Sequence, residues 1–130
     1  MLYLDTSALV KLVIASDETP SLRAFLERRA DATVFSSALS DAELIRTVMP
    51  VGDEAVSTAR RVLTGLHLVD VTRELLERAG ALRTASRLGT LGAIHLVTAM
   101  AVDHRLDGVV TYDPRLSAAA AELGLGTHAP

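Results

Sequence analysis

One hundred and thirty residues, 49% of them hydrophobic and 22% charged, are enough for one domain with its own core, here expected over 1–130, and exclude a disordered or fibrous chain. The net charge of -3 excludes a surface coated in positive charge for nonspecific nucleic-acid binding, although all but Lys11 of the thirteen basic residues are arginine, the side chain suited to bidentate phosphate contact. With no cysteine, no Trp and only two Phe and two Tyr, the chain has no thiolate metal site and little material for base stacking, and any metal must bind through oxygen or imidazole.

The opening Met1-Leu2-Tyr3-Leu4 lacks a basic leader and is cut off by an acid, and no apolar run approaches the roughly eighteen residues of a membrane span. A cytoplasmic soluble protein without membrane association is expected. Leu2 to Asp5 reads as a first buried strand, and Thr6-Ser7-Ala8-Leu9-Val10 as the start of a helix. Asp5 therefore falls at a strand's carboxyl end, where open α/β sheets bind ligands.

Pro20, Leu22, Phe25 and Leu26 mark an amphipathic second helix, with Asp17-Glu18 as its cap. Thr33 to Ser36 is the second strand. In Ser36-Ser37-Ala38-Leu39-Ser40-Asp41-Ala42-Glu43-Leu44-Ile45-Arg46 a hydroxyl at Ser37 or Ser40 caps a helix that carries Glu43 in an early turn. Arg46, one turn on, can bridge to Glu43 or contact a phosphate. Pro50-Val51-Gly52 is a turn between two helices, Leu66 to Val71 a third strand, and Arg73 to Arg87 a further amphipathic helix.

Leu91, Ala93, Ile94, Leu96, Val97, Ala99, Met100, Ala101 and Val102 make the next helix apolar nearly all round, so it should be buried with its first turn facing the interior. His95 on this helix reads as a hydrogen-bonded core histidine, and His67, His104 and His128 form no zinc spacing. Val109 to Tyr112 is a fourth strand ending on Asp113, with Pro114 opening the last helix. Strands alternating with helices imply parallel pairing and an α/β sandwich with helices on the sheet's faces.

Asp5, Glu43 and Asp113 thus come from distant segments to one sheet edge. Like charges so placed raise one another's pKa, and a divalent cation relieves them. Hard oxygen ligands favour Mg2+ or Mn2+, which suits phosphodiester hydrolysis.

At these residues the chain resembles the PIN-domain family, particularly the VapC-like toxin ribonucleases of bacterial toxin-antitoxin modules. Tyr3-Leu4-Asp5-Thr6-Ser7-Ala8-Leu9-Val10-Lys11-Leu12 looks like the family's first acidic motif, the Ser36 to Arg46 segment like its second, and Val110-Thr111-Tyr112-Asp113-Pro114-Arg115-Leu116 like its last. The resemblance implies a PIN-like three-layer sandwich with a central parallel sheet of about five strands, Mg2+- or Mn2+-dependent cleavage of RNA, a cognate antitoxin and a homodimer. It also implies that Asp5 and Asp113 bind metal, that Glu43 binds metal or activates water, and that Ser7 and Thr111 support them.

Leu91-Gly92-Ala93-Ile94-His95-Leu96-Val97-Thr98-Ala99 matches the family's third motif but has Gly92 where the family places an Asp. A helical Gly costs about 1 kcal/mol relative to Ala, whereas an Asp near a helix N-terminus gains about 0.3–1 kcal/mol. Gly92 reads as an inactivating or attenuating change; compensation by Asp41 or another acid, and a need for close backbone approach, are the other readings. Arg60-Arg61, Arg83 and Arg87 are read as solvated faces ahead of an RNA groove. A noncatalytic PIN-like module that binds antitoxin or RNA is the rival function. A phospho-receiver domain is disfavoured because the only lysine is Lys11, and no glycine pattern supports a nucleotide cofactor.

Overall fold

The computed structural model describes residues 1–102 and 105–130. Five strands, β1 (Leu2–Leu4), β2 (Val34–Ser37), β3 (His67–Val69), β4 (Gly108–Val110) and β5 (Thr127–His128), form one parallel sheet in the order β3-β2-β1-β4-β5. Among the described residues seven α-helices flank it: α1 (Thr6–Val13), α2 (Thr19–Glu27), α3 (Leu39–Val48), α4 (Asp53–Thr64), α5 (Arg73–Ala81), α6 (Thr90–Met100) and α7 (Pro114–Glu122).

The alternation of side chains along a strand divides β1 between two cores. Leu2 and Leu4 point to one face, where Ala8, Leu9, Leu22, Phe25, Leu44, Val48, Ala59 and Leu63 of α1 to α4 cover them. Tyr3 points to the other, packing with Phe35, Val109, Leu96, Ala99, Leu116 and Ala119 beneath α6 and α7. Leu75 and Ala79 of α5 reach the sheet only through Ile94 and Val97 of α6. Both faces are therefore covered, as a parallel sheet requires. None of the helices described is long and apolar enough to cross a membrane.

The chain runs from β1 to β2 on one side and places β4 on the other. The switch in strand order thus lies at the carboxyl ends of β1 and β4, the crevice where such sheets hold ligands. Asp5 stands at the first end and Asp113 just beyond the second.

Several expected boundaries move. Asp5 is not in β1: its carboxylate turns to accept from the Ala8 N–H, capping α1. The strand expected over 33–36 runs Val34–Ser37, and that expected over 66–71 shrinks to His67–Val69 because this edge strand pairs with β2 alone. The fourth strand ends at Val110, while Thr111 still donates its N–H to the His128 carbonyl at 3.0 Å. β5 was absent from the apolar pattern and exists by pairing with β4; a Cβ at Gly108 would stand 2.6 Å from His128 Nε2, so glycine allows this approach.

α5 stops at Ala81 rather than Arg87. Leu82 turns extended, and the segment beyond it is tied to α7 by Glu122, which accepts from the Ala85 N–H at 2.6 Å, the Ser86 N–H at 2.8 Å and the Ser86 hydroxyl. Its start is held by Thr72, whose hydroxyl oxygen accepts from the Leu75 N–H at 3.2 Å. Replacing Thr72 by Ala should cost about 1 kcal/mol, seen as a fall of several degrees in the melting temperature; an unchanged melt would show that tertiary packing alone fixes this end.

The remaining caps also differ. α3 has Ala38 at its N-cap with no capping side chain, although Ser37 Oγ accepts from the Leu39 N–H at 3.2 Å, and Glu18 precedes α2 without a side-chain capping bond. Instead Thr19 Oγ1 accepts from the Ser16 N–H at 2.9 Å, and Glu18 pairs with Lys11 at 3.0 Å. The first turn of α6 is not interior, since Thr90 and Leu91 are exposed; burial begins at Ile94.

Candidate functional site

Two hydroxyls join the ends of β1 and β4. Ser7 Oγ donates to Asp5 Oδ1 at 2.6 Å and accepts from the Tyr112 N–H at 2.8 Å. Thr111 Oγ1 donates to Asp5 Oδ2 at 2.8 Å and accepts from the Asp113 N–H at 3.0 Å. The expected supporting roles of Ser7 and Thr111 thus have a geometric form: each ties the Asp5 carboxylate to the backbone of the neighbouring strand end. Asp113 lies at the rim, capping α7 by accepting from the Arg115 N–H at 2.8 Å.

Asp5 is 4% exposed and, among the described residues, forms no ion pair with a lysine or arginine. Burial pushes its carboxyl above the usual carboxylate range, against the opposing hydrogen bonds from Ser7, Thr111 and Ala8. A buried acid held by three donors yet left without a counter-charge would be relieved by a cation.

Glu43 arrives from α3 and meets different partners. Thr6 Oγ1 donates to its Oε2 at 2.5 Å, and His95 Nε2 stands 2.7 Å from the same oxygen. Burial alone would raise the Glu43 carboxyl, but the hydrogen bonds from His95 and Thr6 outweigh it and hold the group below its usual range. Tyr3, two residues before Asp5, bonds through its hydroxyl to His95 Nδ1 at 2.5 Å; burial drives this phenol far upward, so it keeps its proton.

His95 is therefore the hydrogen-bonded core histidine expected, with one addition: its second nitrogen is spent on a candidate site residue. Arg46 does not fill that place. It is exposed, and the close partner of Glu43 on this side is the His95 ring. Thr6 and Tyr3 were not anticipated as participants; Thr6 follows Asp5 directly, and the Gly92 to His95 spacing of one helical turn was the signal that could have implicated the ring.

Position 92 lies on α6, one turn before His95. A Cβ there would stand 2.5 Å from Leu88 Cδ1, 3.0 Å from Leu88 Cγ and 3.8 Å from Leu116 Cδ1, and Leu116 is one turn beyond Asp113. An apolar side chain thus occupies the room of the missing acid. Asp41 does not replace it: that residue lines a separate groove of about 510 Å3 with Ile45, Arg60, Leu63, Thr64 and Leu68. Arg87 and Arg115 share a cavity of about 430 Å3 with Leu88 and Gly89. His67 and His128 sit at other strands, and His104 lies outside the described residues.

The donor set suits a hard divalent cation held loosely. Asp5 and Asp113, linked through Thr111, supply carboxylate oxygens, and Mg2+ commonly takes one or two carboxylates while keeping waters. Among the described residues no three acidic or imidazole side chains stand together as a ready metal cage, so such an ion would remain largely hydrated. His95 cannot serve as a ligand while both ring nitrogens are engaged.

The PIN domain family model matches residues 2–122. Ribonuclease VapC46 of Mycobacterium tuberculosis is 40% identical over 129 residues, spanning 99% of this chain and 97% of that protein. Ribonuclease VapC47 of the same species is 37% identical over 135 residues, spanning 100% of this chain and 97% of the relative. Among solved structures, a toxin-antitoxin complex from Klebsiella pneumoniae contains a chain with the same fold, at TM-score 0.74 and 23% identity over 100% of this chain and 98% of that one.

Proposed function

This chain belongs to the PIN-domain family, in its VapC-like branch, and from that premise we propose that it is the toxin ribonuclease of a bacterial toxin-antitoxin module, acting in the cytoplasm as a single domain. Its reaction is hydrolysis of RNA phosphodiester bonds with Mg2+, or Mn2+ in its place. The observation that supports this most is the Asp5–Thr111–Asp113 link across the switch point of the sheet.

Asp5 and Asp113 would hold the cation. When bound, such an ion lowers the pKa of an attacking water and stabilises charge on the phosphoryl group. Ser7, Thr111 and the Ala8 N–H keep Asp5 in one orientation, which is the preorganisation a weakly ligated ion needs. Glu43, kept ionised by His95 and Thr6, orients water at the edge. Arg87 and Arg115 take RNA phosphates beside it, in place of the purely solvated role first assigned to Arg87. With Gly92 at the fourth acidic position, the activity is attenuated. A cognate antitoxin and a second copy of the chain complete the assembly; the family match and the toxin-antitoxin neighbour in fold support the first.

The test is cleavage of single-stranded RNA by purified chain freed of any bound partner. Cutting that requires added Mg2+ or Mn2+ and stops with chelator is expected. Cation-independent cutting would overturn the reading. RNA or antitoxin binding without cleavage at any cation concentration would favour the second reading, a noncatalytic PIN-like binding module, for which the filling of position 92 by Leu88 is the specific observation.

A further inference from the structure

Glu43 has one carboxylate oxygen committed before any ligand arrives. Oε2 takes both the Thr6 hydroxyl and the His95 ring, while no donor among the described residues meets Oε1. The ring that holds it is 4% exposed and stands edge-on to Tyr3, with centroids 5.9 Å apart and planes at 69°. Tyr3 is fully buried and wedged edge-on against Phe35 at 5.2 Å, so neither ring has room to swing.

Hydrogen-bond bookkeeping assigns the protons. An ionised carboxylate can only accept, so His95 Nε2, 2.7 Å from Glu43 Oε2, must donate, and Nδ1 is then left to accept the phenol hydrogen of Tyr3 at 2.5 Å. A neutral imidazole that accepts at Nδ1 carries its own hydrogen on Nε2, and that N–H faces Glu43 Oε2 at 2.7 Å. Each polar atom from the Tyr3 hydroxyl to Glu43 Oε2 then has a partner, consistent with the absence of unpartnered buried side-chain atoms among the described residues. The direction runs Tyr3 to His95 to Glu43.

We infer that His95, held in its Nε2–H tautomer between the Glu43 carboxylate and the Tyr3 phenol, is a positioning residue that fixes the Glu43 carboxylate with Oε2 occupied and Oε1 left for water or cation. The inference rests on the ribonuclease reading for its catalytic consequence, but not for the tautomer. It also explains how a site short of one acid keeps Glu43 oriented without a lysine or arginine: the guiding donor comes from the buried face of α6, one turn beyond Gly92.

Two measurements test it. Ring 15N shifts of His95 in the labelled protein, recorded without RNA or metal, should show a protonated Nε2 and a bare Nδ1, and Glu43→Gln, whose amide can donate as well as accept, should convert this into a mixture. In cleavage assays His95→Leu should lose about tenfold to 100-fold, no more than Glu43→Gln, and the double variant should lose no more than Glu43→Gln alone. His95→Gln, whose amide presents an N–H toward Glu43, should recover part of the loss. An Nδ1–H tautomer in the parent, or losses that multiply in the double variant, would overturn the inference. If the parent does not cleave at all, the ribonuclease reading fails and the ring shifts alone decide between a directed donor and a merely packed histidine; should His95→Leu not fold, the Glu43→Gln shifts still decide it.

Discussion

Asp5→Asn is expected to abolish RNA cleavage, by at least about 100-fold, while leaving a protein that melts no lower than its parent. The two halves of this result have different causes. Cleavage is lost because the amide carries no charge for a cation and offers one acceptor oxygen instead of two. Stability is kept because Asn is as good an N-cap as Asp: its oxygen can still accept from Ser7 and Ala8, now at 2.6 and 3.1 Å from Oδ1. Its NH2 would donate to Thr111 Oγ1, whose own hydrogen can turn toward Ser7 Oγ, 3.5 Å away.

The pH dependence has a definite sign. Burial raises the folded-state pKa of Asp5 above its unfolded value. Between those two values the folded protein binds more protons than the unfolded one, so stability falls as pH rises through the window and the cost persists above it. The Asn variant lacks this term. Its melting temperature should match the parent's in acid and equal or exceed it near neutrality, by a few degrees if the relief is about 1 kcal/mol. Added Mg2+ should raise the parent's melting temperature and not the variant's. Cleavage within tenfold of the parent, or a variant that melts several degrees lower at neutral pH, would remove Asp5 from the centre of the site.

Local pattern and long-range contact account for different parts of what the sequence revealed. β1 and β4 were legible because each is a short apolar run stopped by an acid, and Asp5 and Asp113 follow from where those runs stop. α7 was legible from Pro114. β5 was not, because Thr127 and His128 carry no apolar alternation and become a strand only through β4. The end of α5 was missed for a similar reason: the helical period continues past Ala81, and what overrides it is Glu122, more than thirty residues away, pulling on Ala85 and Ser86. Each candidate acid was singled out by its own surroundings, but the pairing of Glu43 with His95 spans 52 positions and no local rule encodes it. Arg46, one turn from Glu43, was the local guess, and the buried ring displaced it.

Gly92→Asp combined with Leu88→Ala should raise cleavage at least about tenfold, whereas Gly92→Asp alone should gain less. The difference is steric. Turning Leu88 can carry its Cδ1 away from a new Cβ 2.5 Å off, but its Cγ, at 3.0 Å, must also give by a few tenths of an ångström against the residues packed on the α6–α7 core. Truncation to Ala removes both carbons. Energetically the two changes partly offset each other. Replacing a helical glycine recovers part of about 1 kcal/mol, and an acid in the first turn of α6, where Gly89 offers no side-chain cap, gains about 0.3–1 kcal/mol. Against this stands the loss of a half-buried leucine, below the roughly 2–5 kcal/mol of a fully buried one. The variant should therefore fold, and its new carboxylate would lie on the same α6 stripe as His95, facing α7 near Asp113. Mn2+ affinity and RNA cleavage should rise together in the double variant and stay at the parental level in Leu88→Ala alone. A double variant that binds Mn2+ no tighter and cuts no faster would mean that Gly92 does not limit the site, and that Asp5, Asp113 and the guided Glu43 already supply what the reaction needs.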